Sequence, residues 1–297
     1  VDILVNGEPL ALDMAGSGSL GDALATVDEL LETAGKIIVD LKIDGKGLDP
    51  ADFPRLKDNP LSSFAKVEIG AESLSAIKIK ALSTLLELLA LSGEAAAAES
   101  SADWPALASG LGELAEAFSG LFSSDELSFV QGMAALVAKT VDGAPDSALR
   151  AEVAAQAERM TILFKERLAE MERPEEELRK ASALYAGLAA ELRDVPVLLQ
   201  TGKDERAMKA VLVFIEIFNK VIRIVPELGR TGLDTASIKV GDEELPAFYT
   251  TFNDVLRRLS SAFEDRDSVL IGDLAEYEVA PRMDAFLAAI EGALAAK

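Results

Sequence analysis

Residues 203–225, KDERAMKAVLVFIEIFNKVIRIV, are the most apolar helix-length segment of the chain, and a fold must first find a place for them. Met208, Val211, Leu212, Ile215, Phe218, Ile222 and Val225 recur at spacings of three and four, which puts them on one face of a helix. Arg206, Lys209, Glu216, Lys220 and Arg223 keep the same period on the other side. Glu216 stands four before Lys220, the favourable order for a helix pair. Asp204 is placed to cap the start and Pro226 to stop the helix. The spacing therefore predicts a core helix with Ile215 and Phe218 inward. Lys220 is expected outward, in a solvent-screened pair with Glu216. The charges after Val211 argue against a membrane span, which needs ~20 mostly apolar residues.

Composition narrows the chemistry more than it narrows the fold. Of 297 residues, 29 are basic and 51 acidic, a net charge of −22 that repels phosphate backbones and anionic membrane surfaces. The densest basic pairs, Lys78 with Lys80 and Arg257 with Arg258, are short and lack interleaved aromatics, so no nucleic acid and no membrane is expected as a partner. The chain contains neither Cys nor His. That removes the usual zinc sites, haem–His ligation, iron–sulfur clusters, thiol catalysis and every His-based triad within one chain. No cofactor is expected, and a cysteine-free chain without a visible signal peptide fits a reducing cytoplasm.

Residues 1–70 differ from the rest. Ile3, Leu4 and Val5, then Asn6-Gly7, then residues 9–13 read as a β-hairpin on a tight turn. Ser17-Gly18-Ser19 leads into an amphipathic helix over 20–33, with Ser19 and Asp22 as a capping box and Gly35 as a C-cap. Residues 36–43 (KIIVDLKI) and 64–69 (FAKVEI) read as strands. Hairpin, helix, strand, short irregular stretch, strand is an order that resembles a β-grasp, or ubiquitin-like, module. The resemblance concerns fold and does not carry function.

From Glu72 onward the pattern is helical. Helices are expected over 74–91 (capped by Ser73, ended by Gly93), 104–122, 125–141, 147–173, 174–193, 245–263 and 267–296. Pro281 is expected to kink or divide the last, and residues 94–103 read as a loose connection, with a helix extended through their alanines as the alternative. Residues 200–204 and 264–267 read as matching junctions, each ending in an Asp that caps the next helix. Short connections predict antiparallel neighbours, and 238–240 is a short strand. A pattern recurs three times: Asn6-Gly7-x-x-Leu10, Asp44-Gly45-x-x-Leu48 and Gly241-Asp242-x-x-Leu245. It reads as a common turn after a strand, with the Leu returning to the core; an internal duplication is the sharper alternative. The fold class is thus α+β, predominantly α. A β-grasp-like module over 1–71 precedes a multi-helix antiparallel bundle-like domain over 72–297.

Few constellations carry chemistry. Gly16-Ser17-Gly18-Ser19 before the first helix lacks the Lys of a phosphate loop and places Asp22 where an anion would sit. Asp40, Asp44 and Asp49 depart from the spacing of a calcium loop. The densest carboxylate set is Asp273, Glu276, Glu278 and Asp284, from which Asp273, Glu276 and Asp284 are the candidate ligands of a hard cation such as Mg²⁺. The competing reading is a solvated acidic helix face around Leu270, Leu274, Tyr277, Met283 and Phe286. Ser83 and Lys80 stand in the wrong order for a Ser–Lys catalytic motif. Trp104, the single tryptophan, reads as an anchor between helices rather than a stacking surface.

The sequence reads as a non-catalytic, cytoplasmic protein that binds another protein, as adaptor, scaffold or chaperone, through a helical groove or an exposed sheet edge. The alternatives are a hydrolase or Mg-dependent enzyme using the C-terminal carboxylates, and a self-assembling structural protein that forms homo-oligomers.

Overall fold

The structure, a computed structural model, describes residues 1–10, 18–98, 103–141 and 145–297. The far end of the expected hairpin (11–13), Gly16 and Ser17 of the Gly-rich loop, residues 99–102 of the loose connection and the turn at 142–144 lie outside the described residues. The chain divides into two compact units, Val1–Lys165 and Glu166–Lys297.

The first unit opens with β1 (Asp2–Val5), β2 (Glu8–Pro9), α1 (Leu20–Thr33), β3 (Lys36–Ile43), β4 (Lys46–Gly47), the single turn α2 (Phe53–Leu56) and β5 (Lys66–Ser73). The five strands form one sheet in the order β2-β1-β5-β3-β4, with β1 parallel to the central β5 and the other pairs antiparallel. This is the β-grasp arrangement. Ser19 accepts a hydrogen bond from the Asp22 amide while the Asp22 carboxylate accepts from the Ser19 amide, the reciprocal cap expected there. From α1, Leu20, Ala23, Leu24, Val27 and Leu31 pack on Ile3, Val67, Ile69 and Ala71 of the sheet.

The recurring turn motif has a geometric cause. Asn6-Gly7 (φ 53° and 85°) and Asp44-Gly45 (φ 50° and 80°) both take two positive-φ residues in two-residue hairpins, the form matching strand twist. The third, between β6 (Lys239–Val240) and β7 (Glu243–Glu244), places a positive φ (62°) at Gly241 only. The first two turns also clamp β5. Asn6 both donates to and accepts from the Ala71 backbone at 2.9 Å, and Asp44 Oδ1 accepts from the Ala65 and Lys66 amides at 2.9 and 2.8 Å. Asn can do both; Asp fits where two donors converge. Strand β5 runs on to Ser73, four residues past the expected 69, and Ser73 then caps the next helix.

The first unit continues with α3 (Leu74–Ala97), α4 (Trp104–Phe118), α5 (Ser124–Ala138) and the greater part of α6 (Ser147–Glu172). Helix α3 passes through Gly93, so that glycine is not a terminator; an interior glycine costs only about 1 kcal/mol, which the surrounding alanines accommodate. Trp104 is buried at the start of α4.

The second unit holds the end of α6, then α7 (Pro174–Arg193), α8 (Val195–Gln200), α9 (Asp204–Leu228), β6, β7, α10 (Leu245–Glu264), α11 (Ser268–Asp273), one π-helical stretch (Leu274–Val279) and α12 (Ala280–Ala296). Pro281 divides the last helical stretch as expected. Its missing N–H and its ring clash with the preceding turn are absorbed by that wider turn. The core is aromatic: Phe218 and Phe252 have ring centroids 4.7 Å apart, and Phe248 and Phe286 4.9 Å apart.

The central helix corrects the sequence reading in three ways. It runs through Pro226 to Leu228, because a proline in the final turn removes only one intrahelical bond. Asp204 lies in its first turn without capping it, whereas Asp267 does cap α11. Most consequentially, its buried face is Ala207, Ala210, Val211, Phe214, Ile217, Phe218, Val221, Ile224, Val225 and Leu228. Met208, Leu212 and Ile215 are exposed, while Lys220 is buried. The helix is rotated by roughly a quarter of a turn from the expected orientation.

Stability measurements distinguish the two orientations. Phe218→Ala should cost about 3–5 kcal/mol through lost burial and a cavity. Ile215→Ala should cost under about 1 kcal/mol, as an exposed substitution does. Urea unfolding of the two variants checks this, and equal losses would contradict the observed facing.

Candidate functional site

The N-terminal module carries an open groove of about 840 Å³. One wall is α1, through Gly21, Leu24, Ala25 and Asp28. The other is strand β3, through Ile38, Val39, Asp40 and Leu41, and the floor is closed by Leu48, Pro50, Phe53 and Lys57. Three local features build it. Helix α1 starts tight against the loop before the 3₁₀ turn at residues 61–63, its Gly21 amide donating to the Lys57 carbonyl at 2.8 Å. The hairpin turn at Asp44-Gly45 sends Leu48 back to donate to the Leu41 carbonyl at 2.8 Å. Finally, the β3–β5 ladder shifts register between Ile38 and Asp40, a bulge that leaves Val39 unpaired and among the groove residues. Gly70 lies opposite that bulge, where an added Cβ would come within 3.0 Å of the Asp40 Cβ.

The groove also borders a strand edge. On the side away from β5, β4 pairs only with Lys42 and Ile43 and Leu48 takes the Leu41 carbonyl, so no strand flanks residues 36–40 there among the described residues. The lining supplies two carboxylates and one amine, with no hydroxyl. Its chemistry is that of an apolar receptor with a few polar marks.

A second constellation is a buried ionic cluster in the second unit. Lys220 Nζ donates to Glu166 Oε1 at 2.6 Å and to Glu177 Oε2 at 2.8 Å. Arg223 makes a two-point contact with Glu170, at 2.9 and 2.7 Å, and Arg167 reaches the same carboxylate at 3.1 Å. Lys180 completes it, at 2.8 Å from Glu177 and 2.7 Å from Glu176. The Glu170 side chain is fully buried. Burial by itself would push the Glu177 carboxyl up, but hydrogen bonds from Lys180 and Lys220 outweigh it and hold the group below its usual range. Burial opposes the charge of Lys220 likewise, and its hydrogen bonds to Glu166 and Glu177 raise it nonetheless. The cations and carboxylates satisfy one another, so the cluster ties the end of α6, α7 and α9 together. The pairing of Lys220 with Glu216 expected from the sequence is not made; Glu216 lies on the exposed side of α9.

The C-terminal carboxylates are dispersed. Asp273 ends α11 and is exposed, Glu276 lies in the π-helical stretch, and Asp284 on α12 forms an ion pair with Arg193. Glu278 lies 3.6 Å from Arg282 and 3.9 Å from Arg258. Among the described residues no group of three acidic side chains is placed to hold a metal ion. Of the calcium-loop residues, Asp44 clamps β5, Asp49 accepts from the Ala51 amide and Asp40 faces Lys42 at 3.6 Å. Among the described residues no helix is long and apolar enough to cross a membrane.

Comparison with known proteins adds domain limits. Residues 1–73 match a family described as the TP0873 N-terminal domain, and residues 176–289 match one described as a domain of unknown function (DUF8042). No curated protein and no solved structure matches the chain.

The ionic cluster sets a pH dependence. Glu177, with its lowered folded value, stabilises the fold fully above its usual value of 4.5, and that contribution is lost as pH falls through the folded value. Lys220, shifted the other way, contributes fully below 10.5 and loses its contribution as pH rises further. Urea midpoints across pH should therefore fall off at both ends. Glu177→Gln should cost about 3–5 kcal/mol at neutral pH by leaving Lys220 undercompensated, and should shallow the acid limb. An unchanged acid limb would contradict this assignment.

Proposed function

We propose that the protein is a non-catalytic, cytoplasmic binding protein, and that the groove beside β3 holds an extended, apolar segment of another polypeptide. The observation that carries this reading is the coincidence of an apolar groove with an uncovered strand edge. An added strand satisfies its main chain on residues 36–40 while its side chains enter the groove, the mode known as β-augmentation. The bulge supports it in a second way: it blunts the edge against indiscriminate pairing and supplies Val39 as an apolar contact. In this reading residues 1–71 act as a separable recognition module and 72–297 as the helical body that carries it. The separate domain match over 1–73 and a core cluster drawn entirely from residues 3–71 support that division.

Selection of random extended peptides on the full chain tests it. Selected sequences should alternate apolar and polar residues, and binding should slow amide exchange within Lys36–Asp40. Val39→Asp, at an exposed position, should leave the fold intact and abolish binding. Binding that survives Val39→Asp, or protection confined to other strands, would contradict the reading. So would a small molecule that copurifies in the groove.

A further inference from the structure

We propose that the outward stripe of α9 is where two copies of this chain pair, α9 lying antiparallel against α9 of the second copy. Met208, Leu212 and Ile215 are 41%, 53% and 36% exposed. They follow one another at spacings of four and three, and half-buried Ile222 continues the series beyond Asn219. That is the seam spacing of a two-helix contact. The stripe is distinct from the aromatic core face of the same helix, and it is independent of the groove in the N-terminal module.

Charge selects the occupant. Lys209 and Glu216 flank the stripe on one side, seven residues or two turns apart, and both are exposed. Neither forms an ion pair among the described residues, because Lys220, the sequence neighbour of Glu216 by helix spacing, turns inward to Glu166 and Glu177. When the stripe is laid antiparallel on its own copy with Leu212 facing Ile215, Lys209 of each chain stands against Glu216 of the other. One arrangement thus closes two apolar contacts and two opposite-charge pairs on a twofold axis. A patch complementary to itself in this way forms an isologous dimer, which closes and does not propagate.

Sedimentation across a concentration series, at a salt concentration that screens the net charge of −22, tests the pairing. The wild-type chain should approach twice its single-chain mass as concentration rises. Lys209→Glu alone and Glu216→Lys alone each set like charges opposite one another twice, and each should raise the dimer dissociation constant about tenfold or more. The double exchange Lys209→Glu with Glu216→Lys should recover the wild-type constant. Leu212→Asp should give a monomer with an unchanged circular dichroism spectrum, since its side chain is exposed. A wild-type chain that stays monomeric overturns the proposal and leaves the stripe to a different partner. A dimer indifferent to the single charge reversals, or not restored by the double exchange, forms elsewhere and overturns it equally.

Discussion

The ion pairs of Lys220 determine how the second unit is assembled. A lysine side chain is not held in a protein interior without compensation, because removing an ammonium from water costs several kcal/mol. Here Glu166 at the end of α6 and Glu177 on α7 supply that compensation, from 54 and 43 residues away. These two carboxylates hold one edge of the buried face of α9, and together with its apolar residues they go with a single roll of the helix about its axis. At about 100° per residue, Lys220 stands at one edge of the buried arc, which then sweeps through Ile224, Ile217, Val221 and Phe214 to Phe218 and Val211. The arc left to solvent contains Met208, Leu212 and Ile215. A strongly apolar helix thereby keeps one face for its own core and turns another outward.

The same logic of a polar group setting geometry operates in the N-terminal module. Asn6 and Asp44 occupy the left-handed positions of their turns, and their side chains then reach the backbone of β5 from opposite ends. The central strand is held by the turns of its neighbours as well as by ladder hydrogen bonds. What remains flexible in design is the far edge of β3, where the bulge at Val39 and the brevity of β4 leave room for the groove. The two candidate surfaces therefore arise where the ordering interactions stop.

Much of the fold was legible in the sequence, because local chemistry and fold agree there. The Ser19–Asp22 cap, the left-handed Gly35, the two-residue hairpins and the interruption at Pro281 each follow from short-range rules, and the order of elements in the module was enough to indicate a β-grasp. The roll of α9 was not legible. Val211, Phe218 and Val225 sit where two apolar arcs overlap, so periodicity is satisfied by either facing. The choice rests on Glu166 and Glu177, which no local pattern links to Lys220. The groove was hidden for a related reason: Leu24, Ile38 and Leu41 read as ordinary core positions, and only the length of β4 shows that one side of β3 is uncovered. The carboxylates at Asp273, Glu276 and Asp284 looked like a set along one helix. The π-helical stretch and the pairing of Asp284 with Arg193 separate them.

Because the chain has no cysteine, the orientation of α9 is open to direct measurement. Single cysteines placed at 212, 215, 214 and 221 can each be labelled with a thiol reagent under native conditions. With Lys220 buried among its carboxylates, and at a dilution that keeps the chain monomeric, cysteines at 212 and 215 should label at rates near those of an unfolded peptide. At 214 and 221, labelling should be slower by orders of magnitude, limited by opening of the core. Fast labelling at 214 with protection at 215 would show that the ionic cluster does not set the helix, and the account built on Lys220 would be wrong.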